Sequence, residues 1–209
     1  MATIVTEKAA TETAAKHEVV TRTGERVQDP PFVVRLLSDP RAAWLWVLPR
    51  IWLGYQWFSA SQHKVGDPAW VETGTALKGF WTNAVAVSAA GKSPIVFDWY
   101  RGFLQYLLDT QAYTWFAKLV AYGELLIGIA LILGAFTGIA AFFGGLMNWN
   151  FMMAGSASTN PLLFVVAVGL ILAWKVSGRI GADYFLLRWI GTPWRTVPIE
   201  TGTPAPTKR

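Results

Sequence analysis

The chain has 209 residues, of which 53% are hydrophobic and 15% charged, whereas a soluble domain of this size usually carries about a quarter charged residues. That balance excludes an ordinary water-soluble core and points to lipid as the solvent. The absence of Cys removes disulfides, thiolate-held iron–sulfur clusters, c-type haem attachment and CxxC redox chemistry. The formal net charge of +5 comes mainly from Lys and Arg in the two terminal segments, not from a basic stripe, so nucleic acid is not an expected partner.

Residues 1–40 are rich in Thr, Ala, Glu and Lys and end near Pro30-Pro31; they read as a mobile cytoplasmic tail with an ordered start around Phe32. The first apolar run begins only near Ala42, too late for the core of a cleaved signal peptide, and reads as a retained anchor. The first span, about residues 42–60, is the least apolar, since it carries Pro49, Arg50, Gly54 and Gln56 among several Trp.

Residues 61–112 form an outer connection too polar to span and too long for a turn. Within it Tyr100, Phe103, Leu104, Leu107 and Leu108 recur at helical spacing, with Arg101, Gln105 and Asp109 elsewhere. That pattern predicts an amphipathic helix lying in the membrane surface. Trp70, Leu77, Trp81 and Ala84 repeat it more weakly. As a cap over the bundle or as a substrate lid, the segment has two open readings.

A second span at about 113–136 joins a third at 139–154 through a Thr137-Gly138 turn. Ala130, Gly134 and Gly138, followed by Gly144-Gly145, offer small surfaces for close helix packing. Pro161 suits the first turn of a fourth span at 161–176, and residues 191–209 read as a second cytoplasmic tail. Twelve Trp fit aromatic belts at the two membrane boundaries. The fold class is therefore an all-α integral membrane four-helix bundle over residues 41–190, with an added interfacial helix.

Six Lys or Arg precede the first span (Lys8, Lys16, Arg22, Arg26, Arg35, Arg41) and six lie at or beyond the end of the fourth (Lys175, Arg179, Arg188, Arg195, Lys208, Arg209). The positive-inside rule then places both termini in the cytoplasm and the connection outside. Arg50 is ninth in its nineteen-residue span and Glu124 twelfth in its own of about twenty-four, so both fall near the midplane. An ionised group there costs about 2.5–3.5 kcal/mol even on a lenient scale, which predicts an Arg50–Glu124 ion pair, structural or functional.

Asn148, Asn150 and Asn160 map to the outer half, with Gln56, His63 and Lys64 at the outer end of the first span. Asn148 and Asn150 are about 200° apart on a helix, so one of them at most faces a given site. His63 has no second His, Cys or paired carboxylate at ligand spacing, and no metal is expected. Phosphate-loop, dinucleotide and nucleophile-elbow signatures are absent. The polar groups suggest an outward-facing, partly cationic pocket for an anion or a quinone head group.

Several segments in this order resemble the DoxX/DoxD family. They are Leu48-Pro49-Arg50-Ile51-Trp52-Leu53-Gly54 with His63-Lys64-Val65, Gly123-Glu124-Leu125-Leu126-Ile127-Gly128 with Leu131-Ile132-Leu133-Gly134, Asn148-Trp149-Asn150-Phe151, Asn160-Pro161, and Ser177-Gly178-Arg179-Ile180-Gly181-Ala182-Asp183. The likeness covers about residues 48–187, and the long outer connection is more like the DoxD type, the membrane subunit of thiosulfate:quinone oxidoreductase. It implies a plasma-membrane protein that passes electrons from thiosulfate to membrane quinone, with quinone as substrate and no haem or iron–sulfur cluster. Carried over to this chain, Arg50 and Glu124 become catalytic candidates. Arg50, Lys64 and Asn160 become the anion pocket, and Glu124, Asn148 and Asn150 the quinone and proton-delivery residues. The resemblance also implies a second protein subunit, or a larger respiratory or redox complex in which the chain is a non-catalytic anchor.

Overall fold

A computed structural model of the chain describes Val19, residues 21–25 and residues 27–192. Most of the two expected tails therefore lies outside the described residues. The described chain is all helical, with ten α-helices and one 3-10 turn. They are α1 (Pro31–Ser38), the turn Pro40–Ala42, α2 (Ala43–Val65), α3 (Pro68–Val71), α4 (Thr75–Val85), α5 (Asp98–Asp109), α6 (Tyr113–Leu133), α7 (Thr137–Met153), α8 (Asn160–Leu172), α9 (Trp174–Ser177) and α10 (Asp183–Trp189).

Four helices pack side by side: α2 on α6, α6 on α7, α7 on α8, and α8 back on α2. The tightest approach is α2 against α6, where a Cβ added to Gly128 would stand 2.6 Å from the Phe58 nitrogen and one added to Gly54 would stand 2.9 Å from the Ile132 nitrogen. Two glycines facing each other let the backbones touch, which is how small residues hold helices together when no water drives association. The expected Ala130–Gly134–Gly138 stripe is not that seam. Gly134 ends α6 with φ +67 and Gly138 packs on Trp174. Leu53, Trp57, Ile127, Leu131, Ala141 and Leu170 fill the space between the four helices.

The boundaries depart from the sequence reading in informative ways. The helix of the first expected span, α2, runs to Val65 instead of residue 60, because Ser61, Gln62 and His63 are ordinary helix residues although they are not apolar. The α6–α7 turn is Gly134–Phe136, so Thr137 begins a helix and does not turn. The fourth stretch breaks at Ala173 into α8 and the short α9. Of the described helices, α6 alone is long and apolar enough to cross a membrane by itself; α8 is as apolar but has 13 residues.

The connection between α2 and α6 has its own core, as expected of a structured cap. Leu77, Trp81, Ile95, Tyr100, Leu104 and Tyr113 bury together over the first turns of α6 and against Ala154 after α7. Of the expected α5 stripe, Tyr100, Leu104 and Leu107 are buried and Leu108 partly so, while Phe103 is exposed; of the polar set, Gln105 and Asp109 are exposed and Arg101 is half-buried.

Candidate functional site

Two clusters of buried polar groups stand at opposite ends of α2. Helix α2 is antiparallel to α6, with Gly54 facing Ile132 and Phe58 facing Gly128, so the last turn of α2 comes level with the middle of α6. Lys64 there donates from Nζ to Glu124 Oε2 at 2.5 Å. The Glu124 side chain is 1% exposed and that of Lys64 18%, so the pair is a carboxylate inside the bundle reached by a long stem from its rim. The Lys64 ammonium also lies 5.2 Å from the centre of the Trp70 ring of α3, within cation–π range.

Trp57, Ser61 and Lys64 follow one another at helical spacing on the same face of α2. Ser61 Oγ donates back to Phe58 O at 2.7 Å, whereas Trp57 Nε1 is buried with no acceptor. A Cβ at Gly144 of α7 would stand 2.9 Å from that Nε1 and 3.3 Å from Ile127 of α6. With α6 and α7 antiparallel, this register brings Asn148 level with Glu124. Asn148 is wholly buried, and neither its Oδ1 nor its Nδ2 has a partner among the described residues. An unsatisfied buried polar atom costs about 1–3 kcal/mol, and Arg50 Nε and Nη1 and Thr137 Oγ1 are in the same state among the described residues.

On the far side of α6, a cavity of about 450 Å³ opens between the cap helices and α6–α7. Trp81, Leu104, Phe116, Gly123, Leu126 and Phe151 are among its apolar walls, and Tyr100 and Asn150 bring the polar atoms. The Tyr100 hydroxyl donates to Asn150 Oδ1 at 3.0 Å and lies 3.1 Å from the Asn150 carbonyl oxygen. Burial pushes the phenol up to about 12, so it remains a donor at any physiological pH. Asn150 Nδ2 donates to Leu146 O at 2.8 Å, which leaves the second amide hydrogen of that group without an acceptor among the described residues.

At the other end of α2, Arg50 sits 14 residues before Lys64, about 21 Å away along the helix. It is 2% exposed. Its Nη2 donates to Ile180 O at 2.9 Å, Asp183 supplies an opposing charge, and Gly134 and Gly181 leave just the room it needs, since a Cβ at either would overlap the guanidinium. Asp183 meanwhile accepts from Phe136 N at 2.6 Å and from Thr137 N at 2.9 Å. Those are the free backbone donors where α7 begins. Phe136 holds φ +48, a left-handed conformation costing roughly 1–2 kcal/mol for a residue with a Cβ, and the Asp183 carboxylate holds that turn in place.

The predicted Arg50–Glu124 pair is thus not formed. Each residue was placed at mid-depth by the length of its own span, but the antiparallel register sets Arg50 beside Gly134, ten residues and about 15 Å beyond Glu124. The anion pocket of Arg50, Lys64 and Asn160 is not assembled either. Arg50 is at the wrong end, and Asn160 Nδ2 donates to Ser156 O at 2.9 Å to close the turn before α8. Of the quinone set, Asn150 lines the cavity, while Glu124 and Asn148 lie in the bundle interior behind its wall. Sequence reasoning missed Tyr100, Trp57 and the capping role of Asp183. The last had a signal, a lone acid among glycines next to an apolar run. No metal-ligating cluster occurs among the described residues.

The site therefore belongs to an all-helical protein with a buried carboxylate, paired with a half-buried lysine, beside an apolar cavity. Comparison of the chain with protein-family profiles, with curated proteins and with solved structures returns no significant match.

Proposed function

We propose that the chain is a multi-pass plasma-membrane subunit of a quinone-linked oxidoreductase of the thiosulfate-oxidising type, with both termini in the cytoplasm. Membrane placement is supported by the large apolar side chains exposed around the bundle, among them Trp52, Leu126, Phe142 and Val165, one on each of its four helices. A monomer in water rarely presents such a belt. Helix α2 then crosses with its polar face turned inward, and α8 with α9 completes the fourth crossing.

The observation that carries the functional reading is the Lys64–Glu124 pair with orphaned Asn148 at its level, one wall away from a cavity fit for an apolar ligand. Segments 63–65, 123–128 and 148–151, which carry the DoxD resemblance, converge there. In this reading two thiosulfate ions give up one electron each and join through a new sulfur–sulfur bond as tetrathionate. The quinone takes the two electrons and two protons. Asn150 holds a quinone carbonyl through its spare amide hydrogen, the cavity walls exclude water, and Glu124, reached from the surface through Lys64, relays the protons.

A second reading is favoured by one observation. Arg50, Lys64 and Asn160 do not converge, so these three residues gather no cationic pocket for thiosulfate. A non-catalytic anchor for a donor-oxidising subunit fits that fact. The two separate on quinone reduction by the purified chain in lipid with thiosulfate as donor. Activity lost in Glu124→Gln and kept in Arg101→Gln supports the enzyme reading; an inert native chain that co-purifies with a second redox subunit supports the anchor.

A further inference from the structure

The end of the molecule opposite the candidate site carries an arrangement that the redox reading does not use. Two arginines approach the ring of Tyr184 of α10: the Arg188 guanidinium carbon is 3.9 Å from the ring centre and that of Arg179 is 6.0 Å from it. The two cations are therefore within about 10 Å of each other. Both are exposed, and neither forms an ion pair among the described residues. The adjacent acid, Asp183, is buried, with its oxygens taken up by the backbone of Phe136 and Thr137. Exposed apolar side chains flank the stack, with Trp189 87%, Ile190 66% and Phe185 59% exposed.

Two like charges at this spacing repel, and the ring holds Arg188 on its face, with Arg179 at the edge of cation–π range, without neutralising either. A planar guanidinium held on an aromatic face still directs its outer N–H groups at an anion, in the fork geometry that suits phosphate. The apolar side chains beside it are suited to hydrocarbon, not to a soluble partner. We infer that Arg179, Tyr184 and Arg188 form a clamp for the phosphate of an anionic phospholipid of the cytoplasmic leaflet, whose acyl chains lie along Phe185 and Trp189. The charge and the apolar surface together select the lipid: phosphate free in solution would use only the first.

The inference rests on the membrane placement proposed above and is independent of the redox chemistry. The test is lipid binding to the detergent-solubilised full chain by native mass spectrometry, titrating phosphatidylglycerol, phosphatidylcholine of the same chains, and inorganic phosphate. The native chain is expected to prefer phosphatidylglycerol. R179Q/R188Q is expected to lose about thirtyfold in affinity for it and none for phosphatidylcholine, taking roughly 1 kcal/mol per surface cation. Arg101→Gln, on the cap at the opposite end, should bind as the native chain does. R179K/R188K keeps the charge and loses the stacked fork, so a partial loss of about fivefold is expected. Should the double Gln variant aggregate, Arg188→Gln alone carries the comparison at about fivefold. Native-like phosphatidylglycerol binding by the Gln variants, or an equal loss in Arg101→Gln, overturns the clamp. Displacement of the lipid by excess inorganic phosphate overturns the lipid assignment. A chain that extracts without detergent overturns the membrane placement itself, a different failure from a lost lipid preference.

Discussion

Both buried polar clusters use α2 and α6, yet their chemistry is spent differently. At the Arg50 end the charged groups close backbone: Arg50 binds Ile180 O beside the last turn of α6, and Asp183 accepts the first donors of α7. Remove the side chains and a turn comes apart. At the Lys64 end no loop depends on the charges. Glu124 and Asn148 are mid-helix residues whose backbones are satisfied without them; unpartnered polar atoms do not separate the two ends, since Arg50 Nε and Nη1 and Thr137 Oγ1 lack a partner among the described residues just as Asn148 and Trp57 do. Buried charge that holds a turn has a structural explanation at hand, whereas the charges at the Lys64 end hold no turn and leave packing specificity or function to account for them.

The contrast predicts a graded series of effects, measured as unfolding in detergent or lipid alongside quinone reduction. The largest belongs to the Arg50 end. Gly134→Val would force a β-branched residue into φ +67 and drive its Cβ into the guanidinium, so a loss above about 4 kcal/mol is expected, with little folded protein recovered. Next is Lys64→Met, which strands the Glu124 carboxylate and should cost about 3–5 kcal/mol. Glu124→Gln combined with it should restore most of that stability but no activity. A double variant as unstable as Lys64→Met would show that packing, not charge, made the site.

Arg50→Met gives up a charge-assisted hydrogen bond while keeping the bulk, so about 2–3 kcal/mol is expected. Its activity per folded molecule should stay unchanged. A selective loss of turnover there would erase the distinction between the two ends. The smallest effect on stability is the sharpest on function: Asn148→Leu exchanges an unpartnered buried amide for an apolar side chain of similar size, which is neutral or stabilising by up to about 1 kcal/mol. Quinone reduction should nevertheless fall at least tenfold. A variant that is both stable and fully active would make Asn148 a packing residue.

Much of the architecture was legible in the chain. The apolar runs gave the helices of the bundle to within a few residues, except that α2 runs five residues past its expected end, and the i, i+3, i+4 spacing of Tyr100, Leu104 and Leu107 gave the amphipathic helix of the cap. Glu124 was singled out because an ion within an apolar helix is costly, and Lys64 separately, as a polar group at the outer end of the first span. Their partnership was not legible. Mid-depth positions put Arg50 and Glu124 together, and only the Gly54–Gly128 contact, which fixes the sliding register of two antiparallel helices, separates them. The shared cavity of Tyr100 and Asn150 was hidden for a similar reason, since it lies between two helices that are 50 residues apart in the chain.

The sequence by itself determined what kind of residue lies where along each helix, because hydrophobic periodicity, helix breakers and the cost of burying charge act over one or two turns. It thereby determined the all-helical fold and the identity of the residues worth asking about. Only the tertiary structure decided which of those residues meet. A rotation or a one-turn slide of one helix against another leaves every local preference unchanged, and it is settled by where two backbones can come closest.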